Sequence, residues 1–270
     1  MPMFSVTVPG HFGEWIQGRL GPDGPVALIT LACPVLCART PGRQLRTRDH
    51  LDAAQLDAFA AALGMDTQDW PDQDWPDLDC DMPLGAGAGA STACLVAAAR
   101  AVGFDGPPEG LARACLAVEG ASDPLMFDSP DRLLWASRRA EVLRVLPAPP
   151  EAEIVGGLWG APQRTDPSDA AFSDIADLAE FWAEAAARRD LAAIAGIATE
   201  SARRCTALRG PADPMAELAR ELGALGVARA HTGSARALIF APEKAPGTAE
   251  ATLREAGLID VLRFRTGAGG

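Results

Sequence analysis

The stretch Met82-Pro83-Leu84-Gly85-Ala86-Gly87-Ala88-Gly89-Ala90-Ser91-Thr92 places three glycines at alternate positions. It follows the alternating run Asp77-Leu78-Asp79-Cys80-Asp81 and leads into an alanine-rich run, Thr92–Val102. The alternation puts Leu78 and Cys80 on one face of a short strand, and the alanines favour a helix. The whole reads as a strand, a glycine loop and a helix. Glycines lack a Cβ, so the backbone can close around an anion. The first helical turn has N–H groups without internal acceptors and holds the positive end of the helix dipole. Such a unit cradles phosphate. Ser91 and Thr92 add hydroxyls where Mg²⁺ or a phosphate oxygen would sit.

Three other readings of the loop compete. A flexible linker does not usually stand between a strand and a strongly helical segment. The order Gly85-x-Gly87-x-x-Ala90 imitates a dinucleotide fingerprint, but the βαβ continuation with a following acidic residue is missing. A Walker loop requires a lysine, and Lys244 is the chain's only one.

Working outward, Phe4–Val8 reads as a strand ending at Pro9-Gly10, followed by strands at Val26–Leu31 and Val35–Ala38. Asp52–Leu63 has helical periodicity with Asp52 as its cap. Asp66–Asp81 contains seven aspartates and a duplicated Asp-Trp-Pro-Asp at 69–72 and 74–77. Without EF-hand spacing or a glycine turn it reads as a solvated, proline-broken excursion rather than a calcium site. After the loop come helices Thr92–Val102 and Pro108–Glu119 and a strand pair, Leu133–Arg139 and Glu141–Leu146. Pro147-Ala148-Pro149-Pro150 is the best candidate for a boundary. The second half reads as a strand at Glu153–Trp159 and helices near 173–188, 190–208 and 214–225. Strands at Arg229–Thr232 and Ala237–Phe240 follow, turning at Gly233-Ser234, then a helix at 246–257 and a strand at 260–266. That order is expected to form an α+β fold, with a ferredoxin-like layer in the second half.

The 270-residue chain has room for one large domain or two modest ones. Its net charge of −12 argues against nucleic acid and anionic membranes as partners. There is no apolar window of the roughly 18 residues a membrane span needs. The N-terminus lacks the basic-then-apolar pattern of an export signal, so a cytoplasmic protein is expected. The six cysteines and three histidines are dispersed, with no CxxC pair. A structural metal is therefore not expected, and the thiols read as small buried groups. The expected partner is a small molecule, bound by a monomer or homodimer.

Three stretches together carry a family resemblance. The glycine loop resembles the Pro-x-x-x-Gly-(Leu/Met)-(Gly/Ala)-Ser-Ser-(Thr/Ser)-Ala motif of the GHMP kinases, the galactokinase, homoserine, mevalonate and phosphomevalonate kinase superfamily. Pro9-Gly10-His11-Phe12-Gly13-Glu14-Trp15-Ile16-Gln17-Gly18 is similar to that family's N-terminal substrate motif. Its Gly-Glu-x-x-Gln-Gly form resembles the L-threonine kinases of propanediol utilisation and cobalamin biosynthesis. Ala230-His231-Thr232-Gly233-Ser234-Ala235 resembles the C-terminal glycine motif of the same branch. The three occur in the family's order and span nearly the whole chain. The resemblance implies a ribosomal S5 domain 2-like, nucleotide-binding half over 1–148 and a ferredoxin-like half over 149–270. It also implies ATP and Mg²⁺ as cofactors.

On that match the nucleotide would lie on Pro83, Gly85, Gly87, Ala88, Gly89, Ala90, Ser91 and Thr92. Glu119-Gly120-Ala121-Ser122-Asp123-Pro124-Leu125-Met126-Phe127 resembles the branch's Glu-Pro-(Thr/Ser)-Asp-x-x-Met-(Phe/Tyr) stretch. By that match Asp123 is the base or acceptor-orienting carboxylate, and Glu119, with Ser91, a Mg²⁺ ligand. Glu119 and Asp123 would share a helical face only if the helix passed Pro124's vicinity unbroken. The plainer alternatives are a turn cap for Asp123 and a surface acid for Glu119. Glu14, assisted by Gln17, would bind the ammonium of an amino-acid substrate; the alternative is a solvated acid at a strand end. His231 reads as a core histidine or as a contact to substrate or phosphate, and Ser234 as a donor from the turn.

The chain departs from the branch at Ala90, where the family has its first loop serine, at Ala86, where a lysine is common, and at Cys94, where an acid is common. The Glu119–Asp123 spacing is one residue longer. The resemblance thus implies an ATP-dependent kinase of a small hydroxylated metabolite, with L-threonine first. Homoserine or another acceptor, or a nucleotide-binding protein without turnover, stand as alternatives.

Overall fold

The computed structural model describes residues 4–46, 52–65, 75–163, 166–210 and 212–267. Residues 66–74, which hold most of the duplicated Asp-Trp-Pro-Asp run, lie outside the described residues.

Two long strands form the spine. Strand β1 (Val6–Arg19) pairs antiparallel with β2 (Val26–Thr40) along its length. The expected stop at Pro9-Gly10 does not occur, and the two strands expected over 26–38 are one. The reason is visible in the register, which shifts at Pro9/Gly10, His11/Glu14 and Glu14/Ile16. Bulges at these points absorb the proline and glycines without ending the ladder, and they bend the strand. The substrate-motif residues therefore lie inside a strand rather than in a loop after it.

Around this spine, β3 (Leu45–Arg46) and β4 (Asp77–Cys80) extend the sheet beyond β2. Helix α1 (Ala53–Ala62) starts in a reciprocal capping box between Asp52 and Gln55. Helix α2 (Ala90–Ala101) is buried on nearly every face, which its alanines permit by taking little room. Helix α3 (Pro108–Glu119) begins with proline and ends at Gly120 in the left-handed region (φ 71°). Strands β5 (Leu133–Ala136) and β6 (Glu141–Val145) form the expected pair, joined to β2 through Leu28 and Trp135.

The second half consists of β7 (Ala152–Leu158), α4 (Ala176–Ala187), α5 (Leu191–Arg209), α6 (Met215–Leu222), β8 (Gly226–Arg229), β9 (Ala235–Phe240), α7 (Ala249–Glu255) and β10 (Ile259–Thr266). Its strands lie antiparallel in the order β10-β7-β9-β8, the ferredoxin-like arrangement. One strand differs from expectation: β8 ends at Arg229, where a strand was expected to begin. Residues 230–234 form a connection closed by the Ala230 N–H to the Ala235 carbonyl. This segment packs on the glycine loop instead of on a sheet partner.

Strand β8 meets β1 at Glu14 and Arg229, joining both halves into one sheet, β10-β7-β9-β8-β1-β2-β4-β3. Trp15, Trp135 and Trp182 are fully buried, with Trp15 and Trp182 5.3 Å apart between ring centres. A separate apolar layer under α6 and α7 contains Val155, Leu218, Leu238 and Leu253. Cys33, Cys37, Cys94, Cys115 and Cys205 are buried, and Cys80 is half-buried. Among the described residues no helix is long and apolar enough to cross a membrane.

Candidate active site

The glycine loop connects β4 to α2. Gly85, Gly87 and Gly89 all have positive φ (78°, 75° and 76°). Its carbonyls are held from behind. The Gly85 oxygen accepts from the Gln163 N–H at 2.8 Å, Ala86 from Ala235 at 2.8 Å, Gly87 from Gly13 at 3.0 Å and Ala88 from His11 at 3.1 Å. Gly89 caps α2 without a side-chain cap. A Cβ at Gly89 would lie 2.6 Å from the His11 ring, so glycine is required by contact as well as by conformation. The loop is thereby fixed against both β1 and the 230–235 segment, with the positive end of α2 facing the space in front.

That space is a cavity of about 320 Å³. Pro83, Gly85, Gly87, Ala88, Gly89, Ala90, Ser91 and Thr92 border it, as do Glu14, Gln17, Glu119, Asp123 and His231. Ala86 does not: it is fully buried in the core, and a lysine there would have no room. Ser234 is buried behind the wall rather than on it, its carbonyl accepting from the Trp159 N–H at 2.8 Å; Thr232 and Gly233 border the cavity instead.

At the start of α2, the Ser91 hydroxyl donates to Glu119 Oε1 and the Thr92 hydroxyl donates to Oε2 at 3.2 Å. Glu119 is the last residue of α3, and the left-handed Gly120 turns the chain away. Glu119 and Asp123 therefore reach the cavity from a helix end and the turn beyond it, not from one helical face. The Asp123 N–H donates to Thr92 Oγ1 at 3.4 Å, and the buried Trp135 Nε1 donates to the Ser122 carbonyl at 2.7 Å. Among the described residues no group of three or more His, Cys, Asp or Glu side chains is placed to hold a metal by itself. Carboxylate and hydroxyl oxygens are nonetheless the donors Mg²⁺ selects, and it uses one or two carboxylates together with phosphates. Glu119 and Ser91 fit that demand.

The centre of the site is a residue that the sequence reading left out. His11 is buried, its Nε2 3.2 Å from Asp123 Oδ2 and its Nδ1 3.2 Å from the Gly13 carbonyl. Glu14 Oε1 lies 3.8 Å from the same Nδ1. Both ring nitrogens face acceptors, which is the environment of an imidazolium. Burial opposes the charge on His11, but Asp123 and then Glu14 outweigh it and raise the pKa to about 9. Burial raises Glu14 to about 7, with Asp123 adding to the shift and His11, the His231 backbone N–H and Arg229 opposing it. Glu14 is a mid-strand acid at the seam of the two halves, not a solvated strand end. Its Oε2 and the Gln17 Oε1 are buried without a hydrogen-bond partner among the described residues. His11 was detectable from its place three residues before Glu14 inside the Pro9–Gly18 motif.

On the opposite wall, the His231 ring stacks on Phe172 at 4.1 Å and 6°. Its Nδ1 is 3.6 Å from the Cys205 thiol. Burial, helped by the Arg209 and Arg229 charges, lowers its pKa to about 4, so the ring is neutral. His231 is at once a packed core ring and a wall of the cavity.

No family model matches the sequence, and no curated protein matches it. The fold has many solved counterparts. Streptococcus pneumoniae phosphomevalonate kinase superposes with a TM-score of 0.63 at 12% identity, covering 98% of this chain and 100% of that one. L. major mevalonate kinase, solved with R-mevalonate, gives 0.61 at 13% identity over 98% and 96%. Cytophaga hutchinsonii homoserine kinase gives 0.58 at 14% identity over 97% and 93%. The chain therefore has the GHMP kinase fold along its whole length.

Proposed function

We propose that this chain transfers the γ-phosphoryl group of ATP, with Mg²⁺, to the hydroxyl of a small metabolite, and that L-threonine is its acceptor. The observation that carries the reading is that the phosphate-type loop and the His11–Asp123 pair open onto one cavity. Phosphoryl transfer needs bound phosphates, a positioned hydroxyl and a group to receive its proton. The Gly85–Gly89 backbone and the first turn of α2 bind the phosphates. Mg²⁺, held by Glu119 and Ser91, would supply neutralisation of the phosphate charge. Asp123 takes the acceptor's hydroxyl proton as the new O–P bond forms and ADP departs. His11, its Nε2 3.2 Å from Asp123 Oδ2, fixes the orientation of that carboxylate. Glu14 and Gln17 present two unpaired oxygens to an ammonium group, which favours an amino-acid acceptor. The Gly13-Glu14-x-x-Gln17-Gly18 resemblance to threonine kinases of propanediol utilisation and cobalamin biosynthesis favours threonine within that class.

The test is an ATP-consumption assay over L-threonine, L-homoserine and L-serine, with nucleotide binding followed by calorimetry. The expected result is turnover highest with L-threonine. Preference for homoserine would keep the chemistry and change the acceptor. Nucleotide binding without turnover on any acceptor would support a non-catalytic nucleotide-binding protein, the reading that Ala90 and Cys94 favour. Failure to bind nucleotide would end the kinase reading.

A further inference from the structure

Arg138 supplies a guanidinium to a cavity otherwise dominated by acids. It lies in the turn between β5 and β6, half-buried, and borders the same cavity as Glu14, Glu119 and Asp123. The other cation on the wall is His11, and its charge is committed to Asp123 and Glu14. Arg138 is held firmly. Its Nη1 donates to the Pro167 carbonyl, its Nη2 to the Asp166 carbonyl at 3.0 Å, and its Cζ lies 5.2 Å from the centre of the Phe172 ring. Phe172 in turn stacks on His231, whose backbone N–H faces the Glu14 carboxylate. A guanidinium has five N–H donors, so two carbonyl contacts leave three. A fixed, planar, always-charged fork matches a carboxylate better than any other side chain does.

The cavity wall thus carries groups of both signs, linked through the Arg138–Phe172–His231 contacts. Glu14 and Gln17 offer unpaired acceptors, and Arg138, which borders the cavity, has N–H groups beyond its two carbonyl contacts. A zwitterion satisfies both, whereas an uncharged alcohol satisfies neither. We infer that Arg138 is the specificity-determining residue that binds the acceptor's α-carboxylate, and that the acceptor must be an amino acid with a free carboxylate. This rests on the kinase reading for the identity of the reaction, but the binding it describes can be measured without turnover. The stack gives the site its selectivity. Phe172 lies beside the Arg138 guanidinium, and the neutral His231 ring stacked on it adds no charge to repel that cation.

The experiment compares the wild-type chain with Arg138→Gln and Arg138→Lys, using L-threonine and L-threoninamide. KM is measured for the acceptor and for ATP. Calorimetric Kd for each acceptor is measured without nucleotide, and thermal melting checks the fold. The wild type should prefer L-threonine to its amide by about tenfold or more. Arg138→Gln should raise KM and Kd for L-threonine by at least about tenfold, leave those for L-threoninamide unchanged, and leave the KM for ATP within about twofold. Arg138→Lys should restore part of the loss, since it keeps the charge without the fork. An increase in the KM for ATP instead would overturn the proposal and assign Arg138 to a nucleotide phosphate. Equal losses for L-threonine and its amide would also overturn it, leaving Arg138 as a strut for the Asp166–Pro167 segment. Binding of L-threonine that depends on Arg138, without any turnover, would uphold the proposal while the kinase reading fails. No binding or phosphorylation of any amino acid, with turnover of an uncharged alcohol, would sink the proposal and keep the kinase.

Discussion

His11 Nε2 lies 3.2 Å from Asp123 Oδ2, pairing a bulged position of β1 with the turn that follows α3. The pair is buried on the histidine side and open to the cavity on the aspartate side. A base at the mouth of such a pair can take a proton from a bound hydroxyl while its partner holds it in place.

Asp123→Asn should therefore lower kcat by about 10²- to 10⁴-fold, the usual contribution of a positioned general base. Nucleotide affinity by calorimetry should stay near that of the wild type. Unchanged kcat would remove Asp123 from the mechanism.

The pH profile follows from two groups. Glu14, raised to about 7, must ionise to bind an ammonium, and His11, raised to about 9, must stay protonated to support Asp123. The value of kcat/KM for an amino-acid acceptor should rise through about pH 7 and fall through about pH 9. Because these groups interact, the two limbs belong to the cluster. His11→Gln should abolish the alkaline limb, and a surviving limb would assign it elsewhere.

Stability should fall as pH rises above neutrality, while on the acid side Glu14 and His231 act in opposite directions. The folded state raises His11 from 6.5 to about 9 and Glu14 from 4.5 to about 7. Their contributions are complete below the unfolded values and are lost as pH rises through about 7 and then about 9. His231 is lowered from 6.5 to about 4, so its contribution is complete above 6.5 and is lost as pH falls through about 4. Melting temperature against pH, in wild type and His11→Gln, checks this: the variant should lose less stability between pH 7 and 10.

Gly89→Ala forces a left-handed conformation on a residue whose Cβ would meet the His11 ring at 2.6 Å. The conformational cost alone is about 1–2 kcal/mol. Melting should drop by at least roughly 2–4 °C, as expected for ~1 kcal/mol in a chain of this size. Nucleotide affinity should fall with it. A Gly64→Ala control shares the left-handed φ but meets nothing within 4 Å, so it should affect melting without affecting nucleotide affinity.

Much of the local structure was legible in the sequence because local chemistry decides it. Asp52 marks a helix start, Pro108–Glu119 reads as the helix that α3 is, and the Asp77–Asp81 alternation gives β4. Pro9-Gly10 misled the reading because a proline and a glycine end an isolated strand but not one held by a partner through bulges. The 230–234 segment misled it because its pattern suits a strand, while packing against the glycine loop keeps it out of the sheet.

The site divides the same way. By itself the sequence determined the glycine loop, since backbone freedom and helix polarity depend on near neighbours alone. It also marked Asp123 and Glu119 as candidates, through the resemblance of the Glu119–Phe127 stretch to the threonine-kinase motif. Only the tertiary structure decided that His11 faces Asp123, that Ala86 and Ser234 lie off the cavity, and that Arg138 reaches it through the stack with Phe172 and His231. These relations join residues far apart in the chain. Their charges matter because burial strips away water, and which charges meet in that dry space is set by how the two halves close at Glu14 and Arg229.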